Sequence, residues 1–131
     1  MKQPRLRWGR VLIGGFLAEL MVFVIVFPVL YVFGQRAFLA SILVASAGMP
    51  FIFAVWVGKR IESQFLLHGA LVGVVAFLIY TAIAWGQTQP LLYKIAHGLK
   101  IVGGMAGGFV ASLDKRRSNS TDEPNASQKL P

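Results

Sequence analysis

Long apolar runs are the feature that most constrains this chain. Four stretches carry almost no charge, and they cover residues 11–33, 37–58, 65–85 and 91–113. A helix needs about 20 apolar residues to cross the hydrocarbon core of a bilayer. We therefore predict an all-α membrane protein with four transmembrane helices. The connections are short, which predicts an antiparallel up-down bundle.

The composition favours the same class of protein. The 131 residues are 56% hydrophobic and only 14% charged, whereas a soluble domain has roughly 25% charged residues. A core of this size cannot hide so much apolar surface, so lipid must solvate part of it. The runs do not alternate apolar and polar residues as the strands of a barrel do, which favours helices.

The last part of the chain differs from the rest. Residues 1–113 form the predicted transmembrane domain, and residues 114–131 read DKRRSNSTDEPNASQKLP. This segment is too polar to bury enough apolar area to offset the entropy lost on ordering. We predict a disordered cytoplasmic tail.

The positive charges indicate an orientation. The formal net charge is +8, and the charges stand beside the apolar runs, which favours membrane lipids as partners over nucleic acid. Four alternating helices put most basic residues on one side: Lys2, Arg5, Arg7, Arg10, Lys59, Arg60, Lys115, Arg116, Arg117 and Lys129. The positive-inside rule then predicts that both termini are cytoplasmic. We expect a multi-pass protein of the bacterial inner membrane.

Glu19 is the most informative single residue. It lies about eight residues, or roughly 12 Å, into the first predicted helix, where an ionisable group is costly and suggests a function. One interpretation is a proton- or cation-binding carboxylate, with His68 as a better partner than Lys100 by depth and side-chain direction. The other, which we prefer, is a hydrogen-bonded glutamate that fixes helix packing. His68 is equally interpretable as an interfacial residue without a partner.

Two further groups of residues have candidate roles. Lys94, His97 and Lys100 share one half of the last predicted helix, which suggests an anion or lipid-headgroup contact, or basic side chains that only reach toward the interface. Small residues recur four apart at Gly69 and Gly73, and again at Gly104 and Gly108, a spacing that lets helix backbones approach closely. We expect packing within the chain, with a homo-oligomer as the alternative.

The sequence lacks the residue patterns that catalysis, metal binding and nucleotide binding require. There is no cysteine, and no phosphate-binding loop, dinucleotide fingerprint, zinc-ligand spacing or Ser-His-Asp order is recognisable. We predict no metal, no cofactor and no enzymatic activity.

Two segments carry a resemblance to known families. The opening RWGRVLIGGFLAELMVF and the ending GGMAGGFVASLDKRR resemble small uncharacterised bacterial membrane proteins with four helices. Glu19 is also similar in position to the first-helix glutamate of small multidrug-resistance transporters, which implies proton and cation binding there. The strong bias of the basic residues to one side departs from that second family.

Two functions remain open at this point. The first is a non-enzymatic structural or accessory membrane protein that self-associates through its glycine faces. The second is a small proton- or cation-coupled transporter that uses Glu19. Whether Glu19 faces a polar, water-accessible cavity or a dry helix interface distinguishes them.

Overall fold

A computed structural model describes residues 6–122, and within that range the chain is helical with no strand. It has three helices, which are α1 (Trp8–Gly58), α2 (Phe65–Ile83) and α3 (Leu91–Asp122). The prediction of four transmembrane helices is therefore wrong. The first two predicted spans lie within the single helix α1, whose helical pattern continues up to and beyond Gly34.

Gly34 interrupts α1 and reverses the direction of the chain. Its φ of 77° and ψ of −176° are non-helical and belong to a region that is essentially reserved for glycine. A Cβ atom built on Gly14 would lie 2.8 Å from Val57 Cγ2, although an unbroken helix would separate these residues by roughly 65 Å. We refer to residues 8–33 as the N-terminal arm of α1 and to residues 35–58 as its C-terminal arm.

The other predicted boundaries differ mainly at the end of the chain. α2 and α3 begin at residues 65 and 91, as predicted, and α2 ends two residues early at Ile83. α3 continues to Asp122, so residues 114–122 are helical rather than disordered. The rest of the predicted tail and the first five residues lie outside the described residues.

Two of the helices, α1 and α2, are long and apolar enough to cross a membrane. α3 is not among them, because Lys94, His97 and Lys100 lower the hydropathy of its first half. Only 22% of the most apolar stretch of α1, and 33% of that of α2, is buried inside the molecule. These stretches are therefore mostly exposed on the surface, which differs from the core helices of a soluble protein.

The interior is built from small side chains, and the large apolar ones face outward. The most buried hydrophobic residues are alanines and valines, including Ala18, Val57, Val72 and Ala76. The exposed large hydrophobic residues include Leu12, Phe16, Phe27, Val44, Leu78, Ile83, Val102 and Phe109. Water does not favour this distribution, whereas lipid tolerates it because its tails are as apolar as these side chains.

The molecule has two distinguishable ends. At the basic end, the Arg10 guanidinium donates to the Arg60 carbonyl, and Lys115 Nζ donates to the Ile61 carbonyl at 2.9 Å. We define this end by the basic residues on it: Arg7, Arg10, Lys59, Arg60, Lys115, Arg116 and Arg117. The opposite end, the Gly34 end, contains the chain reversal at Gly34.

Candidate ligand-binding site at Glu19 and Lys100

Glu19 forms a buried ion pair with Lys100. Lys100 Nζ donates to Glu19 Oε2 at 2.7 Å, and each side chain is only 2% exposed. This pair joins the N-terminal arm of α1 to α3. The prediction that His68 is the better partner for Glu19 is therefore wrong.

The level of Lys100 along the bundle explains the pairing. Gly73 packs against the backbone of Lys100, while Gly14 and Gly15 pack against Val72. Glu19 therefore lies about one helical turn nearer the Gly34 end than Lys100 does. Helical side chains lean toward the N-terminus of their own helix, and α3 runs opposite to the N-terminal arm. The two side chains accordingly lean toward each other.

His68 has a different role in the structure. The Arg7 backbone N–H donates to His68 Nε2 at 3.4 Å, and His68 Nδ1 lies 2.9 Å from the Gln64 carbonyl, to which it donates. Both ring nitrogens thus have backbone partners near the basic end. His68 lies roughly 13 Å from the level of Glu19 along the bundle. The structure does not bring these two residues together.

One ring of an aromatic cluster lies against the ammonium group of Lys100. Lys100 Nζ lies 4.8 Å from the centroid of the Tyr80 ring, within the range of a cation–π interaction. The Tyr80 ring in turn lies 4.6 Å from His97 and 6.3 Å from Tyr93, measured between centroids. Phe23 of the N-terminal arm stacks on Tyr80 at 6.4 Å. The lysine charge is therefore shared between a carboxylate and an aromatic face.

The ion pair lines a cavity of about 160 Å³ in the half of the molecule toward the Gly34 end. Its other walls are largely apolar and aromatic: Val22, Phe23, Val26, Phe27, Phe38, Ile42, Ser46, Tyr80, Tyr93, Ala96 and His97. Two buried polar atoms of the lining, Glu19 Oε1 and His97 Nδ1, have no hydrogen-bond partner among the described residues. The residues that line this apolar space therefore include two polar atoms without a described partner, and one of them, Glu19 Oε1, is an acceptor when the carboxyl is ionised.

The structure separates the three residues predicted to contact anions or lipid headgroups. Lys100 is buried in the ion pair and does not reach an interface. His97 lies between Tyr80 and Phe77, in ring contact with both. Lys94 is exposed and lines a second, more superficial cavity with Trp85 and His97. The prediction that all three residues contact one anion or headgroup is therefore wrong. Only Lys94 remains a candidate for a headgroup contact.

The four glycines selected by their spacing meet between α2 and α3. A Cβ on Gly69 would overlap the carbonyl oxygen of Gly104 and press on Gly108, and a Cβ on Gly73 would overlap the carbonyl oxygen of Lys100. These contacts are all within one chain. The same glycine faces are thus not free to hold a second copy.

The described residues contain no group of three or more His, Cys, Asp or Glu side chains that could hold a metal ion. What the arrangement offers chemically is recognition: a carboxylate oxygen, a cationic partner for it and aromatic walls.

Sequence reasoning missed the contribution of Tyr80 and Tyr93 to the site. A usable signal existed on α3, where Tyr93, His97 and Lys100 follow the four- and three-residue spacing of one helical face. Tyr80 shares a face of α2 with Gly73, seven residues earlier.

No protein-family model, curated protein or solved structure matches this chain.

Proposed function

We propose that this chain is a non-enzymatic integral membrane protein that binds a small lipophilic molecule in the cavity beside Glu19 and Lys100. The observation that carries the proposal is the free oxygen of Glu19. Glu19 is 1% exposed and lines a largely apolar cavity, and its Oε1 has no hydrogen-bond partner among the described residues. Buried polar atoms in native proteins nearly always have a partner, and an exception calls for a specific explanation.

The cavity is suited in size and lining to such a ligand. Binding sites for small molecules are mostly apolar and aromatic, with a few polar groups that fix orientation. An apolar cavity of about 150 Å³ is known to hold benzene, and this one has about 160 Å³. The pair of Glu19 and Lys100 supplies the polar groups at its inner wall.

The membrane location and orientation are part of the proposal. Two helices are long and apolar enough to cross a membrane, and the large apolar side chains face outward. At one end, Arg10 donates to the Arg60 carbonyl and Lys115 to the Ile61 carbonyl. The positive-inside rule puts this end in the cytoplasm, with both termini. The resemblance of the opening and ending segments supports a bacterial inner membrane.

Binding in the cavity is tested with fluorobenzene, followed by fluorine NMR on the full chain in detergent micelles. We expect a saturable shift that empty micelles do not give. Ala96→Leu fills the cavity, because Ala96 is 2% exposed and lines it, and should abolish the shift. The matched control Val44→Leu changes a side chain that is 74% exposed and should leave it unchanged. Equal shifts in both variants would reject a binding cavity.

The orientation is tested with reporter fusions. A reporter active only outside the cytoplasm, fused after residue 131, should give no signal. The same reporter inserted between residues 86 and 90, in the connection between α2 and α3, should be active. The reverse pattern would reject a cytoplasmic basic end.

A second candidate function is a proton- or cation-coupled transporter, and the free oxygen of Glu19 favours it too. The pairing with Lys100 opposes it, because the carboxylate already has a buried cation. Vesicles that contain the protein distinguish the two functions. Substrate-dependent proton flux that Glu19→Gln eliminates would support the transporter, whereas our first proposal predicts no flux from either protein.

A further inference from the structure

The chemical class of the ligand follows from three properties of the cavity: the free acceptor, the net charge and the shape. We infer that the cavity takes a neutral molecule with a single aromatic ring and a hydroxyl donor, that is, a phenol-class compound whose O–H donates to Glu19 Oε1. This inference rests on the proposed binding function and specifies its substrate class.

The free acceptor requires a donor. Glu19 Oε2 accepts from Lys100 Nζ at 2.7 Å, while Glu19 Oε1 has no partner among the described residues. A carboxylate oxygen accepts and does not donate while it is ionised. His97 Nδ1 is a second buried polar atom of the lining residues without a described partner. A ligand without an N–H or O–H group would cover Glu19 Oε1 and leave it unsatisfied.

The net charge of the lining favours a neutral ligand. Glu19 and Lys100 are the two residues of the lining that carry full opposite charges, and they neutralise each other at 2.7 Å. A cationic ligand would place a second buried cation against one carboxylate, and an anionic ligand would compete with Glu19 for Lys100. Either arrangement leaves one charge in an apolar space without a counter-ion, which is costly. A neutral donor avoids this cost.

The shape of the cavity favours one ring. Its volume of about 160 Å³ is close to that of a cavity that holds benzene. Phe23, Tyr80 and Tyr93 supply ring faces for stacked or edge-on contacts. Phe27, which also lines the cavity, is 51% exposed. One wall of the cavity is therefore formed by a ring that also lies at the surface of the molecule.

The experiment compares three ligands of similar size on the unaltered protein. Binding of 4-fluorophenol, 4-fluoroanisole and 4-fluorobenzylammonium to the full chain in micelles is followed by fluorine NMR, with empty micelles as background. The methyl ether keeps the ring and removes the donor. A hydrogen bond to a charged acceptor corresponds to roughly a tenfold or greater difference in Kd. We expect the phenol to bind at least about tenfold more tightly than either of the others.

A double variant identifies the acceptor. Glu19→Leu together with Lys100→Met removes the carboxylate and its partner at once, so no unpaired charge is left behind. We expect the phenol and the ether to bind this variant with similar Kd. A phenol preference that survives in the double variant would overturn the assignment to Glu19.

The possible failures are distinguishable from one another. Equal binding of phenol and ether to the unaltered protein would overturn this inference and leave the binding cavity in place. Tighter binding of the ammonium compound would overturn it in favour of a cation site. If fluorobenzene and all three compounds show no saturable binding, and Ala96→Leu changes nothing, the proposed function fails as well.

Discussion

The two halves of the α2–α3 pair pack in opposite ways. Toward the basic end, Gly69 and Gly73 meet Gly104 and Gly108 so closely that a single Cβ atom would overlap a carbonyl oxygen. Toward the Gly34 end, the same two helices carry aromatic and basic side chains, namely Phe77, Tyr80, Tyr93, His97 and Lys100. The first half is closed backbone to backbone, and the second contains the cavity.

The comparison shows how one pair of helices both packs closely and encloses a site. In the half toward the basic end, glycines let the two helix backbones approach closely. A few turns later the two helices carry large side chains, and Tyr80, Tyr93, His97 and Lys100 line the cavity. The close half therefore fixes the geometry on which the open half depends. The following predictions act on one half at a time.

The largest effect should come from removing the cation of the open half. Lys100→Met leaves Glu19 buried without its partner, and breaking a buried pair in this way costs about 3–5 kcal/mol. The free energy of unfolding in micelles should fall by that amount. Lys94→Met is the matched control, because Lys94 is exposed, and should change it by less than about 0.5 kcal/mol. Similar effects of the two substitutions would mean that Lys100 is not buried in an ion pair.

The next effect should come from the close half. Gly104→Leu places a side chain against the Gly69 carbonyl, and overpacking of this kind costs about 1–3 kcal/mol or more. Gly98→Leu is the matched control on the same helix, because a Cβ on Gly98 meets nothing within 4 Å. Unfolding in a detergent titration should therefore separate the two variants. If they unfold together, the glycines do not form a close contact.

The reversal of α1 provides a test that lies outside both halves. Gly34 has a φ of 77°, which a residue with a side chain adopts only at a cost of about 1–3 kcal/mol. Gly34→Ala should lower the free energy of unfolding by that amount. Gly98→Ala, in a regular helix with open space around it, should instead raise it slightly, since alanine is the better helix former. An increase for both substitutions would contradict the reversal at Gly34.

The smallest effect should come from the aromatic face above Lys100. Tyr80→Phe keeps a ring under the ammonium group, whereas Tyr80→Leu removes it. A desolvated cation–π contact is worth about 0.5–2 kcal/mol, so the leucine variant should be less stable than the phenylalanine variant by about that amount. Equal stabilities, measured by the same unfolding titration, would show that the ring does not hold the lysine.

The sequence predicts helices well here and contacts between them poorly. Apolar runs and glycine spacing are local patterns, and they indicate helical segments and a set of small residues that the structure brings together. The predicted number of helices was wrong because the residues between the first two apolar runs are helical except for Gly34. Both runs therefore lie within α1. The helical part of the tail was missed because polarity alone does not prevent a helix from continuing.

The site was harder to predict because it depends on axial register. The sequence singled out Glu19, which the structure shows to be buried, but it did not identify Lys100 as the partner. A shift of one turn between two helices changes which side chains meet, and no single run of sequence contains that shift. The register follows from the contact of Gly73 with the backbone of Lys100, which only the folded chain reveals. Tyr80 was missed for the same reason.

The central claim is that Glu19 and Lys100 form one buried unit, and a double-mutant cycle tests it most directly. The free energy of unfolding is measured for the unaltered chain, Glu19→Leu, Lys100→Met and the double variant. Replacing both members of a buried pair by apolar groups is often close to neutral. We predict that the double variant is within about 1 kcal/mol of the unaltered chain, although Lys100→Met alone loses about 3–5 kcal/mol. A double variant whose loss equals the sum of the two single losses would contradict the account.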